Sequence, residues 1–291
     1  MAVSRIDLHI HSTASDGSDS PSAIAEQAAS LHLAAFALTD HDTLEGLEEA
    51  ETAAQRLGVP FVRGCEVSTH TEWGAAHFLG LWLPHDKERL TELQETLEVV
   101  RKDRAERNFR MTEKLQELGF PVNYEEVTAI AGNKVVARPH FAELLVKKGI
   151  VKTEVEAFEK YLGNGKPAYI PRKVLSPEEA AELLKRSGAL VVMAHPRLLK
   201  APRKALEQLI ARLVPLGLDA LEAYHSEHKP NDVRICVELA RKYGLHLSGG
   251  SDYHGTHKKD IRMGYGKGSL CVHRGIYDDL LQYREEKGLI D

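Results

Sequence analysis

For the first 85 residues, short apolar runs alternate with segments of helical apolar period, and the runs end at histidines or carboxylates. Residues 3–10 read as a strand closing on Asp7-Leu8-His9-Ile10-His11. Ser20 before Pro21 predicts an N-cap with proline at the first helical position, and Ile24, Ala28 and Leu31 form that helix's stripe. Residues 33–38 predict a buried strand that runs into Thr39-Asp40-His41-Asp42. Leu47, Ala50, Ala54 and Leu57 line a second helix, closed by Gly58. Residues 60–67 predict a strand with Glu66 near its end, and residues 75–83 another that carries His77. The order β, α, β, α, β, β is that of a mostly parallel barrel or open sheet.

From 86 to 163 the pattern turns entirely helical. Leu90, Leu93, Leu97 and Val100 form one stripe, and Met111, Leu115 and Leu118 continue it past a charged middle. Asn123 with Glu126, and Thr153 with Glu156, have capping-box spacing, and Pro139 can open a helix that ends at Gly149. The βα rhythm then returns. A capping box at Ser176-Pro177-Glu178-Glu179 opens a helix reaching Gly188. Strands are predicted at 189–194, 218–222 and 245–248, with helices between them and a last helix over 276–287. Residues 1–85 and 164–291 together predict one α/β barrel or open sheet, with 86–163 as a helical insertion.

Composition narrows the class. At 291 residues, 43% hydrophobic and 28% charged, the chain can bury a sizeable core. A net charge of −5 gives no overall basic surface, so nucleic-acid binding would rest on a local patch. Cys65, Cys236 and Cys271 fit neither a disulfide framework nor a CxxC site and point to a reducing compartment. No apolar run reaches membrane length and no signal peptide precedes the first strand, so the expected location is cytoplasmic, without a membrane partner. No obligate protein partner is implied.

The 15 histidines matter by position. His9 and His11 lie two apart on one strand, on one face and about 7 Å apart at roughly 3.3 Å per residue. Alone, such a pair is more often packing than chemistry. At other predicted strand ends stand His41, Glu66, His77, His195, Glu222 with His225, and Asp252 with His254, while Asp16 lies in the loop after the first strand. Strand ends of a βα barrel converge on one mouth. Imidazoles and carboxylates without cysteine suit manganese, iron or zinc in a catalytic site, and so many ligands imply two or three ions. Clustered divalent ions suit phosphoester hydrolysis.

His9-x-His11, Thr39-Asp40-His41-Asp42, Glu66, His195-Pro196 and Ser251-Asp252-x-His254 resemble the successive motifs of the PHP (polymerase and histidinol phosphatase) superfamily. Arg138-Pro139-His140 is similar to the branch of nucleoside 3′,5′-bisphosphate phosphatases and 5′–3′ RNA exonucleases. The resemblance implies a distorted (β/α)7 TIM-like barrel whose mouth the insertion covers. It also implies a trinuclear site, manganese first, with zinc or iron as alternatives. By motif, one ion would take His9, His11, Glu66 and Asp252, a second Glu66, His77 and His195, and a third Asp16, His41 and His254. Asp16 stands where some relatives carry histidine.

The implied activity removes the 3′-phosphate of a nucleoside 3′,5′-bisphosphate through a metal-bridged hydroxide, leaving a 5′-mononucleotide. Alternatives are 5′–3′ exonuclease action on short RNA, hydrolysis of histidinol phosphate or a similar monoester, and a non-catalytic accessory module. Arg138 and His140 are expected to contact phosphate, against an ordinary helix start on Pro139. Asp40 is expected to orient an imidazole in the catalytic set, and Asp42 to cap a helix. Glu222 and His225 divide between ligand or substrate contacts and structural roles. Arg197, Lys173 and Tyr253 are weaker substrate contacts. Arg101, Arg104, Arg107 and Arg110 form a loose stripe that could follow an RNA backbone if it is not simply a solvated face.

Overall fold

Seven strands hydrogen-bond in the order in which they occur along the chain. The computed structural model describes residues 4–132, 136–171 and 174–289. Strand β1 (Ile6–Asp7) leads to helix α1 (Pro21–Ser30), β2 (Ala35–Leu38), α2 (Leu47–Leu57) and the longer β3 (Phe61–Thr71) and β4 (Gly74–Leu81). Strand β1 pairs parallel with β2 and β2 with β3, but β4 runs antiparallel to both neighbours. After the helical segment come α7 (Pro177–Arg186), β5 (Leu190–Ala194), α8 (Arg203–Leu213), β6 (Leu218–His225), α9 (Pro230–Tyr243), β7 (His246–Gly250) and α10 (Arg274–Glu286). Strands β5, β6 and β7 pair parallel in turn.

The first and last strands meet along a seam. Leu8 N donates to Gly249 O (3.2 Å), Asp252 N to His9 O (2.9 Å) and His11 N to Tyr253 O (2.9 Å). The result is a nearly closed seven-stranded α/β barrel, distorted by the reversed β4. That reversal was not legible in the alternation of β4, and it decides where His77 lies. The first turns of β4, not its last, come to the end of the barrel reached by the other strands' C-termini, with His77 opposite Ala194.

Alternate residues of the central strands divide between two apolar layers. Phe78, Val191 and Met193 join Leu184, Leu209 and Leu239 of the surrounding helices. Leu79, Leu81, Leu190 and Val192 join Val272 and Leu280 on the other face. This two-sided burial explains why the strands read as near-continuous apolar runs. Strand β4 stops at Leu81, after which Trp82 takes a positive φ of 55°.

Helix α3 (Lys87–Glu117) begins in the barrel unit, where Leu90, Leu93 and Leu97 join the core, and continues into a second compact unit spanning Glu98–Lys173. That unit also holds α4 (Tyr124–Ala131), α5 (Arg138–Lys147) and the short α6 (Glu154–Ala157), which runs on as a π-helical turn, Phe158–Leu162. Its own core includes Met111, Leu115, Phe141 and Leu145. Asn123 and Glu126 form a complete capping box. At Thr153 only half forms, because the Glu156 carboxylate turns to Lys152 N (2.7 Å). Arg107 is buried, with Nε donating to Ile170 O (3.2 Å), so the arginine stripe is not one continuous solvated face.

Gly250 lets the seam close. A Cβ there would lie 2.3 Å from His9 Cβ and 2.5 Å from His9 N. Gly250→Ala should therefore cost about 1–3 kcal/mol of stability. Thermal denaturation checks this, and an unchanged midpoint would contradict the close approach.

Candidate metal centre

Glu66 is the hub of the cluster at the strand ends. It is fully buried near the middle of β3, and five imidazoles face its two oxygens. His77 Nδ1 (2.9 Å) and His195 Nε2 (3.0 Å) approach Oε1. His41 Nδ1 (2.9 Å), His11 Nε2 (3.3 Å) and His9 Nε2 (3.4 Å) approach Oε2. On one side Asp252 Oδ1 lies 3.3 Å from His11 Nε2 and 3.4 Å from His254 Nδ1. On the other, Asp16 Oδ1 lies 3.3 Å from His254 Nε2, and Asp16 Oδ2 lies 3.8 Å from His41 Nε2. All nine residues nominated as ligands therefore gather in one place.

Three sets of donor atoms each lie within 4.8 Å of one another: His9, His11 and Glu66; His41, Glu66 and His77; and His11, Asp16, His41 and His254. This differs from the division drawn from the motifs: Asp252 and His195 fall outside these three sets, and two imidazoles are shared between sets. His11 and His41 each belong to two sets, because their two ring nitrogens face opposite ways.

The donors fit cations. His9 Nε2 and His11 Nε2 stand only 3.1 Å apart, and His11 Nδ1, His41 Nδ1 and Glu66 Oε2 are buried without a hydrogen-bond partner. Burial opposes charge throughout, yet the neighbours outweigh it at several groups. Glu66 is held well below the usual carboxylate range by His41, His77 and His9. His11 is raised to about 9 against its burial by the neighbouring Asp252 and Glu66 carboxylates. At His195 burial wins and the imidazole falls to about 4. A cluster whose carboxylates hold charge only beside protonated imidazoles is one where divalent ions can replace protons.

Around these donors lies a set of positioning groups. Glu222, also fully buried, takes His9 Nδ1 on Oε1 (2.9 Å) and His195 N on Oε2 (2.7 Å). It thereby fixes the His9 ring, the usual work of a carboxylate behind a metal-binding imidazole, together with the backbone of His195. His225 Nδ1 accepts from Glu227 N (3.1 Å) and its Nε2 lies 3.4 Å from Asp252 Oδ2. Lys258 Nζ reaches the same oxygen at 2.6 Å. His195 and Asp252 take positive φ, 27° and 57°, the local strain common at functional sites.

Several assignments from the sequence are corrected. Asp40 does not orient an imidazole: its oxygens accept from Ser12 N (2.8 Å), Ser12 Oγ (2.7 Å) and Ser15 Oγ (2.5 Å), tying down the loop that carries Asp16. Asp42 does not cap a helix, since α2 starts later with Gly46 as its N-cap. Its carboxylate accepts from Ser68 N (2.8 Å) instead. Tyr253 is no free substrate contact, because its ring belongs to the core beside Ile10 and Ile24 and its hydroxyl donates to Asp19 (2.7 Å).

The remaining substrate candidates fall elsewhere. Arg197 pairs with Asp232 through Nε (3.2 Å). In the second unit, the Arg138 guanidinium lies 5.9 Å from the ring centroid of Phe158 and 5.6 Å from that of Tyr169, and His140 Nδ1 accepts from Ala137 N at the start of α5. Lys173 lies outside the described residues. Two groups escaped notice in the sequence. Asp7, buried, accepts from Ser251 N (2.8 Å) and Gly264 N (2.7 Å), and so sets the loop bearing Asp252. Its signal was a carboxylate inside an apolar strand. Lys258 gave no signal, because only the 3₁₀ turn over Gly255–Lys258 returns it to Asp252.

The profile described as PHP domain matches residues 7–191. The chain belongs to the PHP domain family. Among curated relatives, it is 33% identical to a 3′,5′-nucleoside bisphosphate phosphatase of Chromobacterium violaceum, over 96% of this chain and 97% of that one. It is 32% identical to a 5′-3′ exoribonuclease of Haemophilus influenzae, over 86% of this chain and 90% of that one. Among solved structures, a candidate metal-dependent phosphoesterase of Bifidobacterium adolescentis superposes with a TM-score of 0.74 at 28% identity, covering 96% of both chains. This PHP-family chain thus aligns over most of its length with relatives named as a phosphatase, an exoribonuclease and a phosphoesterase. Among the described residues, no helix is long and apolar enough to cross a membrane.

If Glu222 positions His9 and His195, Glu222→Gln should weaken metal affinity about 10–100-fold without unfolding the chain. Calorimetric titration with Mn²⁺ checks this, and wild-type affinity would contradict the role.

Proposed function

We propose that this chain is a metal-dependent phosphoric ester hydrolase that removes the 3′-phosphate from nucleoside 3′,5′-bisphosphates, giving 5′-mononucleotides. The observation that carries the reading is Glu66, a buried carboxylate faced on both oxygens by five imidazoles. Two to three divalent ions, manganese first, would be held by His9, His11, Asp16, His41, Glu66, His77, His195, Asp252 and His254. Such ions supply an activated water and neutralise charge on the phosphoryl oxygens.

The chain's own residues supply the positioning. Glu66 sits where it can bridge adjacent ions. Glu222 sets the ring of His9 and the backbone of His195, and Asp40 fixes the loop that carries Asp16. His225 and Lys258 hold Asp252 Oδ2, leaving Oδ1 towards His11. Arg138 and His140 are proposed as contacts to the substrate's phosphate: a guanidinium matches phosphate with two parallel donors. Location in the cytoplasm accords with three unpaired cysteines, two of them buried.

A second reading, 5′–3′ exonuclease action on short RNA, is favoured by the Haemophilus relative, an exoribonuclease at nearly the same identity. It uses the same centre on an internal rather than a terminal phosphoester.

With Mn²⁺, turnover of adenosine 3′,5′-bisphosphate should exceed that of histidinol phosphate and of a 5′-phosphorylated oligoribonucleotide compared side by side. Preference for either competitor would overturn the substrate assignment. Chelation should stop phosphate release, and release that persists would sink the hydrolase reading itself. His11→Ala should abolish activity while the circular dichroism spectrum holds; a variant that stays active would remove His11 from the ligand set.

A further inference from the structure

Strands β3 and β4 run on past the metal centre. Glu66 and His77 belong to it, yet the ladder continues through Ser68↔His77, Thr69↔Ala76 and His70↔Ala75 to Thr71↔Gly74. Glu72 and Trp73 turn the hairpin. Side chains two apart on a strand share a face. His70 and Ala75, a directly opposed pair, therefore lie on the face that carries Glu66 and His77, one step further from the centre, and both are exposed. Trp73 takes the next position of that alternation and is 41% exposed, although large apolar rings are mostly covered in folded proteins. The tip is braced. Thr71 Oγ1 accepts from Trp73 N (3.0 Å) and donates to Gly74 O (3.0 Å), and Thr69 Oγ1 donates to Ala76 O (2.6 Å). His70 N donates to Leu175 O (3.3 Å), and Ser68 N to the Asp42 carboxylate (2.8 Å).

We propose that this face of the hairpin is the subsite for the substrate's nucleobase, with Trp73 as its stacking surface. The inference rests on the phosphohydrolase reading above and adds the element that recognises the nucleoside. Continuity with the centre comes from the strand itself: Ala75 and Trp73 follow from His77 at about 7 and 13 Å, at roughly 3.3 Å per residue. That is a span which a nucleoside and an indole side chain cover together. A phosphate held beside His77 leaves the sugar to pass Ala75, where a methyl group offers little obstruction, and the base to meet the ring. A braced, already exposed indole has little ordering left to lose when a flat partner covers it. Stacking needs no particular hydrogen-bond pattern, because every base has a π-face. The subsite therefore favours nucleosides over base-free phosphomonoesters and discriminates weakly among bases.

Binding to the full chain with Mn²⁺ present tests the subsite apart from the reading on which it rests. Adenosine 5′-monophosphate and ribose 5-phosphate share a sugar phosphate and differ in the base. By calorimetry, Trp73→Ala should bind the nucleotide about tenfold more weakly than wild type, as expected for one lost base–aromatic stack. Its affinity for ribose 5-phosphate should be unchanged, and Trp73→Phe should lose less. The other tryptophan, Trp82, is buried beside Tyr277, with ring centroids 5.8 Å apart. In a Trp82→Phe chain, the nucleotide should therefore quench the emission of Trp73 and ribose 5-phosphate should not. In turnover of adenosine 3′,5′-bisphosphate, Trp73→Ala should raise KM by a similar factor with kcat nearly constant. Nucleotide affinity unchanged in Trp73→Ala, or emission that the nucleotide leaves untouched, would overturn the subsite. So would an equal loss of ribose 5-phosphate binding, which would show a general disturbance of the centre. Base-dependent binding by a chain that hydrolyses nothing would support the subsite and defeat only the hydrolase reading.

Discussion

A carboxylate with no access to solvent is the constraint on which the rest of this molecule depends. Removing Glu66 from water carries a desolvation penalty of several kcal/mol that only close positive charge can offset. The chain meets it with imidazoles delivered by strands β1, β4 and β5 and by the turn after β2. No local segment could do this. Five rings reach one carboxylate only because the sheet curls until its strand ends converge, so the barrel and its centre are one arrangement.

Convergence also needs precise edges. Gly250 allows β7 to lie against His9, and backbone bonds across the seam hold Asp252 beside the histidine pair. Asp7, Asp40 and Asp42 serve the same end at three loops, each accepting backbone hydrogen bonds. Glu222 then fixes the His9 ring and the backbone of His195 together. These carboxylates bind the scaffold, while Glu66, Asp16 and Asp252 face the imidazoles. Sorting them requires knowing which way each side chain turns, and residue type alone does not say.

That distinction marks the limit of what could be read from the amino-acid order. The candidate set was legible because most of its members stand on or just after apolar runs, and strand ends of a βα barrel share a mouth. Asp16 was visible as a residue of the loop after the first strand, and only resemblance grouped it with His41 and His254, the two imidazoles it lies beside. The reversal of β4 was hidden, since an alternating strand reads the same in both directions, and His77 was therefore placed by order alone. Asp40 was misread because adjacency to His41 suggested a partnership that the turn prevents. Tyr253 was misread for a related reason: neighbouring residues on a strand end face opposite ways, so the residue between two ligands points into the core.

The central claim is that one buried cluster around Glu66 holds divalent ions. Anomalous X-ray scattering at the manganese edge, from crystals grown with Mn²⁺, tests it most directly. The account predicts two to three peaks, each within coordination distance of the His9, His11, Asp16, His41, Glu66, His77, His195, Asp252 and His254 donors. Peaks confined to other sites, or none at this cluster under saturating metal, would contradict it.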